Sequence, residues 1–140
     1  SRRIMSNIYV HEDLHEMNLY PCAYSMTFNV TGNKLNGILN QRSQDLLTAN
    51  NWNVVQYSAL MIMVAKVSGL VPGEFVHVIA DAHIYDRHIP IVEEIIAKTP
   101  YDAPKLEVND ITDFYKFTPD DFKLIDYKYH ELKTKIPVAI

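Results

Sequence analysis

The sequence contains a single cysteine, Cys22, among its 140 residues. One cysteine excludes a disulfide within the chain and is typical of proteins that fold in a reducing compartment. No apolar run approaches the ~20 residues that a membrane-spanning helix needs, and no signal peptide is recognisable. We therefore expect a cytoplasmic protein that does not enter a membrane.

Arginine is the scarcest charged residue, and the formal net charge of the chain is -4. A negative charge disfavours a general role on nucleic acids or membrane surfaces, because both are negatively charged. The planar guanidinium of arginine suits two-pronged binding of phosphate or carboxylate. Each arginine is therefore a candidate anion ligand, with a surface ion pair as the alternative explanation. The four are Arg2, Arg3, Arg42 and Arg87.

The composition fits one domain that can bury a core, since 48% of the residues are hydrophobic and 21% are charged. The chain begins at Ser1 without an initiator methionine. We therefore expect these residues to be a piece of a longer polypeptide.

The stretch around Cys22 is the first with a chemical signature. Pro21 fixes its own φ and has no N–H, so the chain turns or extends just before the cysteine. Apolar and polar residues then alternate from Tyr24 to Val30, which is the period of a half-buried strand. A thiol at the mouth of a strand is well placed to face a cleft. The alternative is a small buried hydrophobe, the usual state of a free cysteine.

A hairpin is predicted after this strand, because Gly32 and Asn33 tolerate positive φ. The second strand begins at Lys34 and ends in six consecutive polar residues, 40–45. Such an ending suggests that the side chains line a site. In a regular strand, one face carries Gln41, Ser43 and Asp45, and Arg42 points the other way. A bulge would change this arrangement. Arg42 and Ser43 together offer a guanidinium and a hydroxyl, which suit a phosphate.

Residues 48–52 are predicted to form a loop, and a helical pattern begins at Asn53 and ends near Gly69. Its apolar residues form one stripe with others beside it: Val54, Tyr57, Met61 and Val64, and next to them Leu60, Met63 and Val67. A helix that is apolar over much of its circumference is expected to be buried in the middle of the molecule. Asn51 or Asn53 has a simple alternative role as the N-cap of this helix.

Residues 71–74, with Pro72 and Gly73, predict a turn, and residues 75–85 predict a long strand. One face of that strand carries His77, Ile79, Asp81, His83 and Tyr85. These polar side chains suggest a lined cavity, with a pair of satisfied core histidines as the alternative.

The rest of the chain predicts an edge strand within residues 1–9 and a short helix or loop over residues 11–18. A helix over residues 87–98, capped by Asp86, is followed by strands at residues 106–111 and 122–127. His11 and His15 lie at helical spacing without a third ligand nearby, so no metal site is predicted. The expected class is α/β (α+β).

Seven segments, taken in order, resemble the thymidylate synthase family along the whole chain. They are Ser1-Arg2-Arg3-Ile4, Leu19-Tyr20-Pro21-Cys22, Gln41-Arg42-Ser43-Gln44-Asp45, Asn53 with Tyr57, Pro72-Gly73, Asp81-Ala82-His83-Ile84-Tyr85 and Pro137-Val138-Ala139-Ile140. The resemblance implies a mixed β-sheet with a buried central helix and flanking helices. It also implies that residues 1–140 are the C-terminal part of a single catalytic domain.

The resemblance further implies a homodimer that methylates dUMP to dTMP, with methylenetetrahydrofolate as the consumed cosubstrate and no metal. Cys22 is then the nucleophile that adds to carbon six of uracil. The implied nucleotide-binding residues are Arg42 and Ser43 with Gln41, Arg2 and Arg3 from the other subunit, Asn53 for the base, and His83 with Tyr85 for the deoxyribose. Folate contacts are implied for Asp45 and for the tail with Ala139 and Ile140, which folds over the occupied site.

Two other functions are compatible with these residues. One is a nucleotide hydroxymethylase acting on dUMP or dCMP on the same fold, in which water captures the exocyclic methylene. The other is a non-catalytic nucleotide-binding fragment. The product formed and the release of the proton on carbon five distinguish the three.

Overall fold

A computed structural model describes residues 1–138 of the chain. The described residues divide into two compact units, one over residues 1–83 and one that begins at Ile84. The strands of the first unit are β1 (Met5–Asn7), β2 (Ala23–Thr31), β3 (Lys34–Gln41), β4 (Gln44–Asp45), β5 (Val71–Ile79) and β6 (Ala82–His83). Its helices are a 3₁₀ helix (His11–Glu16) and α1 (Asn50–Val67).

The main sheet has the strand order β1-β2-β3-β5, with antiparallel pairs up to β3 and a parallel β3–β5 pair. The predicted hairpin between β2 and β3 is confirmed, and Gly32 adopts the expected positive φ of 63°. The predicted edge strand is confirmed but is limited to Met5–Asn7. The sheet is mixed, as expected for the α+β class.

One face of α1 packs on this sheet. Tyr57, Met61 and Ala65 are buried against a core that includes Met26 and Leu39. The prediction of a buried central helix is confirmed on the side that packs on the sheet. Most of the other residues of α1 are half-buried, and the exposed ones all lie in its first two turns.

The predicted loop at residues 48–52 is wrong, because α1 begins at Asn50. The N-cap residue is Ala49, which has no side chain that could cap, so Asn51 and Asn53 are not N-caps. The turn that starts the helix is fixed upstream, where the carboxylate of Asp45 accepts the backbone N–H groups of the residues just before Ala49. At the other end, Gly69 has a φ of 66°, as predicted for a C-terminal cap.

Residues 71–74 belong to β5, so the predicted turn is wrong. Pro72 is tolerated because β5 lies at the edge of the sheet, where a missing N–H breaks no ladder bond on the open side. Gly73 leaves room for the side chain of Asn36, because a Cβ at this position would collide with its Oδ1. That oxygen accepts the N–H of Glu74 instead, at 2.9 Å.

The single long strand predicted for residues 75–85 is also wrong. β5 ends at Ile79, and the chain then leaves the main sheet to form β6, which pairs in parallel with β4. The alternation of side chains is therefore interrupted before Asp81. The same break occurs after Gln41, so the expected common face of Gln41, Ser43 and Asp45 does not form.

The second unit contains α2 (Ile89–Ile96), β7 (Lys105–Val108) and β8 (Phe122–Ile125), with 3₁₀ helices at Asp86–His88, Phe114–Lys116 and Pro119–Asp121. β7 and β8 pair antiparallel, which confirms both predicted strands in shorter form. α2 is shorter than predicted at both ends, and Asp86 does not cap it, because a separate 3₁₀ turn precedes the helix. None of the helices in the described part of the chain is long and apolar enough to cross a membrane.

Candidate active site

The backbone around Cys22 is held by the residue that follows β3. The guanidinium of Arg42 donates from Nη2 to the carbonyl of Tyr20 at 2.9 Å and from Nε to that of Pro21 at 3.1 Å. Its backbone N–H donates to the carbonyl of Cys22 at 2.9 Å. Three successive carbonyls are therefore fixed by one residue.

The next carbonyl along the chain, that of Ala23, accepts a hydrogen bond from a residue of α1. The hydroxyl of Tyr57 reaches the carbonyl of Ala23 at 3.4 Å, and both residues are buried. Burial raises the pKa of the Tyr57 hydroxyl, which therefore stays protonated and able to donate at neutral pH. The sequence pairs Tyr57 with Asn53 in a family motif but gives it no role of its own. Its place in the apolar pattern of the helix and its spacing from Asn53 were the available signals.

The thiol itself lies in this fixed loop. Cys22 is half-buried, and its Sγ lies 4.0 Å from the carbonyl of Tyr20. The backbone is therefore held by hydrogen bonds, while the cysteine itself stays partly exposed. This arrangement suits a nucleophile and does not match the alternative of an inert core residue.

Arg42 was predicted to bind phosphate, and in the structure its side chain also binds the backbone of the Cys22 loop. Two of its five guanidinium N–H groups bind the loop, so three remain for other partners. The side chain is exposed and lines two surface cavities, of about 420 Å³ and about 300 Å³. Cys22 lines neither of these two cavities.

A hydrogen-bond network lies at the end of β3, centred on the buried Gln41. Gln41 Nε2 donates to the carbonyl of Ser43 at 2.8 Å and to Oδ1 of Asn53 at 3.1 Å. Gln41 Oε1 lies 2.8 Å from Nε2 of His77.

One backbone carbonyl orients every member of this network. The carbonyl of Ser43 can only accept, so the Gln41 atom facing it must be the amide nitrogen. Gln41 Oε1 then faces His77, whose Nε2 must carry the proton. The second hydrogen of Gln41 Nε2 requires an acceptor, which identifies the facing atom of Asn53 as Oδ1.

The state of His77 agrees with this assignment. Burial lowers the pKa of His77, so its ring is neutral at physiological pH with the proton on Nε2. The sequence singled out His77 only as a member of a polar strand face. The structure makes it a positioning residue that fixes Gln41.

Asn53 is therefore held with a defined polarity. Its Oδ1 accepts one bond from Gln41 and keeps a second lone pair, while Nδ2 carries two N–H donors. A carboxamide with one acceptor site beside one donor matches a ligand that presents an N–H next to a carbonyl. The prediction that Asn53 reads a pyrimidine amide is consistent with this geometry.

The short β4–β6 ladder brings two predicted segments together. Gln44 donates its N–H to the carbonyl of Asp81 at 2.8 Å, and Leu46 donates to that of His83 at 3.0 Å. Asp45 and His83 are register partners in this ladder. His83 is half-buried, with Nδ1 3.4 Å from the carboxylate of Asp81.

The carboxylate of Asp45 is engaged locally. Oδ1 accepts the N–H groups of Leu47 and Thr48, at 3.0 and 3.2 Å, and the other oxygen accepts the hydroxyl of Thr48. These bonds orient the carboxylate at the start of α1. A folate contact of Asp45 stays a prediction.

The other predicted site residues lie in separate segments of the chain. Arg2 and Arg3 are exposed and precede β1 at the edge of the sheet. Tyr85 belongs to the second unit, where its ring packs edge-on at 5.7 Å from that of His88. Ala139 and Ile140 lie outside the described residues. Over residues 1–138, no group of three or more His, Cys, Asp or Glu side chains could hold a metal ion.

Comparison with known proteins gives one family. The family model described as thymidylate synthase matches residues 1–140. The thymidylate synthase of Clostridium beijerinckii is 44% identical over 142 residues, which cover 99% of this chain and 54% of that protein. That of Bacillus licheniformis is 43% identical over 141 residues, covering 100% of this chain and 50% of that protein.

A solved structure agrees with these sequences. Thermostable thymidylate synthase A from Bacillus subtilis superposes with a TM-score of 0.93 and 38% identity, over 100% of this chain and 50% of that one. The chain belongs to the thymidylate synthase family. It spans about half the length of the relatives that it matches.

Proposed function

We propose that the chain supplies the nucleophile and base-reading part of a thymidylate synthase, which methylates dUMP to dTMP in the cytoplasm. Family membership supports the reaction, and the single cysteine supports the reducing compartment. The observation that carries the proposal is the fixed Cys22 loop beside an amide of defined polarity. Methylenetetrahydrofolate supplies the one-carbon unit and the hydride and leaves as dihydrofolate.

The nucleophile is Cys22. Its thiolate sulfur forms a bond to carbon six of uracil, and the electron pair of the ring double bond moves toward carbon five and the adjacent carbonyl oxygen. Addition makes carbon five nucleophilic, so one difficult substitution is divided into two easier steps. The hydrogen bonds to the carbonyls of residues 20–23 hold the backbone around Cys22, so the sulfur keeps its orientation while this bond forms.

Asn53 reads the base and stabilises the developing charge. Its Oδ1 lone pair accepts the ring N–H of uracil, and Nδ2 donates to the neighbouring carbonyl oxygen. Because that oxygen gains negative charge when sulfur adds, the Nδ2 bond strengthens in the transition state. Gln41 and His77 support this role by preventing rotation of the amide.

The phosphate and sugar contacts come from neighbouring segments. Arg42, with three guanidinium N–H groups outside the loop contacts, and the hydroxyl of Ser43 bind the phosphate. His83 and Tyr85 hold the deoxyribose hydroxyl. Asp45 contacts the pterin of the folate, and the tail with Ala139 and Ile140 closes over the occupied site.

We also propose a homodimer that forms through the sheet face opposite α1. Met5, Thr27, Ile38 and Val76 form one cross-strand row there. Met5 and Val76 are 66% and 46% exposed. Parallel strand pairs such as β3–β5 are normally covered on both faces, so a second copy is the expected cover. Arg2 and Arg3 then reach the phosphate site of the partner.

The test is covalent trapping with 5-fluoro-dUMP and methylenetetrahydrofolate. Fluorine replaces the proton that must leave carbon five, so the adduct persists and can be located by peptide mass spectrometry. We expect the adduct on Cys22 and none in Cys22→Ser, which should still bind dUMP. An adduct on another residue, or turnover by the variant, would exclude the mechanism.

Release of tritium from carbon five of labelled dUMP separates the other functions. Release with dTMP as product supports the synthase, and release with a hydroxymethyl product supports the hydroxymethylase. Nucleotide binding without release supports a non-catalytic fragment.

A further inference from the structure

Two residues in the turn before α2 bind the last residues that the structure describes. Nε2 of His88 lies 2.9 Å from the carbonyl oxygen of Pro137. Arg87 donates from Nη1 to the carbonyl of Val138, also at 2.9 Å. Because a carbonyl can only accept, the proton of the His88 ring lies on Nε2. Two neighbouring residues therefore bind two neighbouring carbonyls, and we call Pro137 and Val138 the tail anchor.

The side chain of His88 is not explained by the helix that it precedes. His88 occupies the N-cap position of α2, where side chains such as that of Asn normally accept a backbone N–H of the first turn. Its ring makes no such bond and is 1% exposed. Nδ1 is buried without a hydrogen-bond partner among the described residues. Within residues 1–138, the contact with Pro137 is therefore the one hydrogen bond of this ring.

The same ring contacts a residue that is predicted to bind the substrate. Tyr85 packs edge-on against His88, with the ring centroids 5.7 Å apart and an angle of 77° between the planes. The backbone N–H of His88 also donates to the carbonyl of Tyr85 at 2.8 Å. His88 therefore contacts both Tyr85, which is proposed to hold the deoxyribose, and the tail anchor. The residues proposed to contact folate, Ala139 and Ile140, follow the tail anchor directly in the sequence.

We infer that His88 and Arg87 are positioning residues for the tail, which they hold at a fixed place relative to Tyr85. The inference rests on the proposed function for the roles of Tyr85 and the tail. Chain ends are poorly ordered unless they are tied down, and ordering them when a ligand binds lowers its affinity. Binding the tail anchor in advance reduces this loss for the folate. Arg87, to which the family resemblance gives no role, takes part through a backbone carbonyl.

The carbonyl of Pro137 can be observed on its own, because Pro137-Val138 is the only Pro–Val pair in the sequence. Labelling the chain with [¹³C-carbonyl]proline and [¹⁵N]valine gives a single HNCO peak that reports this carbonyl. We compare His88→Gln with His88→Asn. The amide nitrogen of Gln can reach the place of Nε2, whereas that of Asn can reach only the place of Nδ1.

His88→Gln should keep the wild-type carbonyl shift, and His88→Asn should move it upfield, because a carbonyl that loses a hydrogen bond is less deshielded. Asn is a preferred N-cap residue, so this variant should not weaken the start of α2. An unchanged resonance in His88→Asn, or the same movement in both variants, overturns the inference. Tyr85→Leu, which removes the ring, should move the resonance, and Tyr85→Phe should not. An equal result for these two variants overturns the link to Tyr85.

The consequence for the proposed reaction is a difference between the two KM values. His88→Asn should raise the KM for methylenetetrahydrofolate by about 5–30-fold, leave that for dUMP nearly unchanged, and be rescued by Gln at the same position. Arg87→Met should cause a smaller rise, because its bond is exposed to water. A larger rise for dUMP than for the folate contradicts the inference. Absence of turnover in the wild type would refute the proposed function, whereas the carbonyl resonance still decides whether these residues hold the tail.

Discussion

At the scale of single residues, the polarity of Asn53 makes base choice testable. Cytosine presents an amino group and an unprotonated ring nitrogen where uracil presents a carbonyl and an N–H, so it requires the opposite pattern. In Asn53→Asp, the oxygen that replaces Nδ2 accepts from the amino group of cytosine, and the other oxygen, when protonated, donates to the ring nitrogen while it still accepts from Gln41. Preference should therefore shift from dUMP toward dCMP by about 10–100-fold, since a misplaced buried hydrogen bond costs ~1–3 kcal/mol.

The measurement is the ratio of kcat/KM on dUMP and dCMP for wild type and variant. Asn51→Asp is the matched control, because Asn51 is exposed in the same turn of α1. An equal change in both variants, or an unchanged ratio in Asn53→Asp, would reject Asn53 as the base reader.

The sequence identified several of these residues but not the bonds that orient them. Cys22, Gln41 and Asn53 are recognisable because family motifs surround them. The role of His77 depends on its 2.8 Å contact with Gln41, 36 positions away, and on a backbone carbonyl that no side-chain pattern reveals. Such contacts are consequences of strand register, which a single sequence does not specify.

At the scale of elements, the hydrogen bond between α1 and the Cys22 loop can be removed by deleting a single oxygen atom. Tyr57→Phe removes the hydroxyl that reaches the carbonyl of Ala23. We expect adduct formation with 5-fluoro-dUMP to slow by about 2–10-fold, from a net bond of ~0.5–1.5 kcal/mol, while dUMP affinity is unchanged. Tyr115→Phe, at a residue 93% exposed, is the control. A wild-type rate in Tyr57→Phe would show that the loop is held without this bond.

The turn before β8 is predicted to be sensitive to acid. The backbone N–H of Thr118, the amide of Asn109 and the hydroxyl of Thr118 hold the pKa of Asp121 below its usual range. As pH falls, protons therefore bind Asp121 in the unfolded state first. The hydrogen bonds to the ionised carboxylate stabilise the folded state above pH ~4, and this stabilisation is lost as pH falls through the folded pKa.

Asp121→Asn should accordingly lower Tm at pH 7, and the difference from wild type should shrink as pH approaches 3. Thermal unfolding followed by circular dichroism between pH 3 and 7 measures both effects. Asp120→Asn, at the exposed neighbour, should change Tm little at any pH. A constant difference between wild type and Asp121→Asn across this range would contradict the assignment.

Local chemistry explains which elements were predictable. The β2–β3 hairpin is specified by Gly32, and the end of α1 by Gly69, because both positions require positive φ. The start of α1 was missed because its turn is fixed by Asp45, outside the helix. Residues 71–74 were misread because Pro72 in a strand is allowed only at an edge, and edge position is a property of the whole sheet.

At the scale of the whole molecule, α1 covers one face of the main sheet, and we propose that the opposite face meets a second copy. Val76→Asp, in the cross-strand row of that opposite face, tests this proposal. The net charge of -4 makes a dianionic nucleotide costly to bind unless cations are concentrated at one place. Arginines from two subunits would meet that requirement in the proposed dimer.

The proposal that Arg2 and Arg3 act across the dimer interface predicts recovery of activity in mixed dimers. One chain carries Arg2→Ala and Arg3→Ala with an intact Cys22, and the other carries Cys22→Ser with intact arginines. If the arginines act across the interface, the mixed dimer has one site with every group present, because the first chain's thiol meets the second chain's arginines. Random exchange should then restore about a quarter of wild-type activity, since half of the dimers are mixed and each has one working site.

If the arginines act within their own chain, every site in the mixed dimer lacks either the thiol or the arginines, and no activity returns. Subunit exchange is verified by native mass spectrometry of differently tagged chains. Adding Val76→Asp to both chains should prevent exchange and abolish recovery, because the charge lies in the row of residues proposed to meet the second copy. Mixed dimers that form fully and stay inactive would place Arg2 and Arg3 outside the phosphate site of the partner.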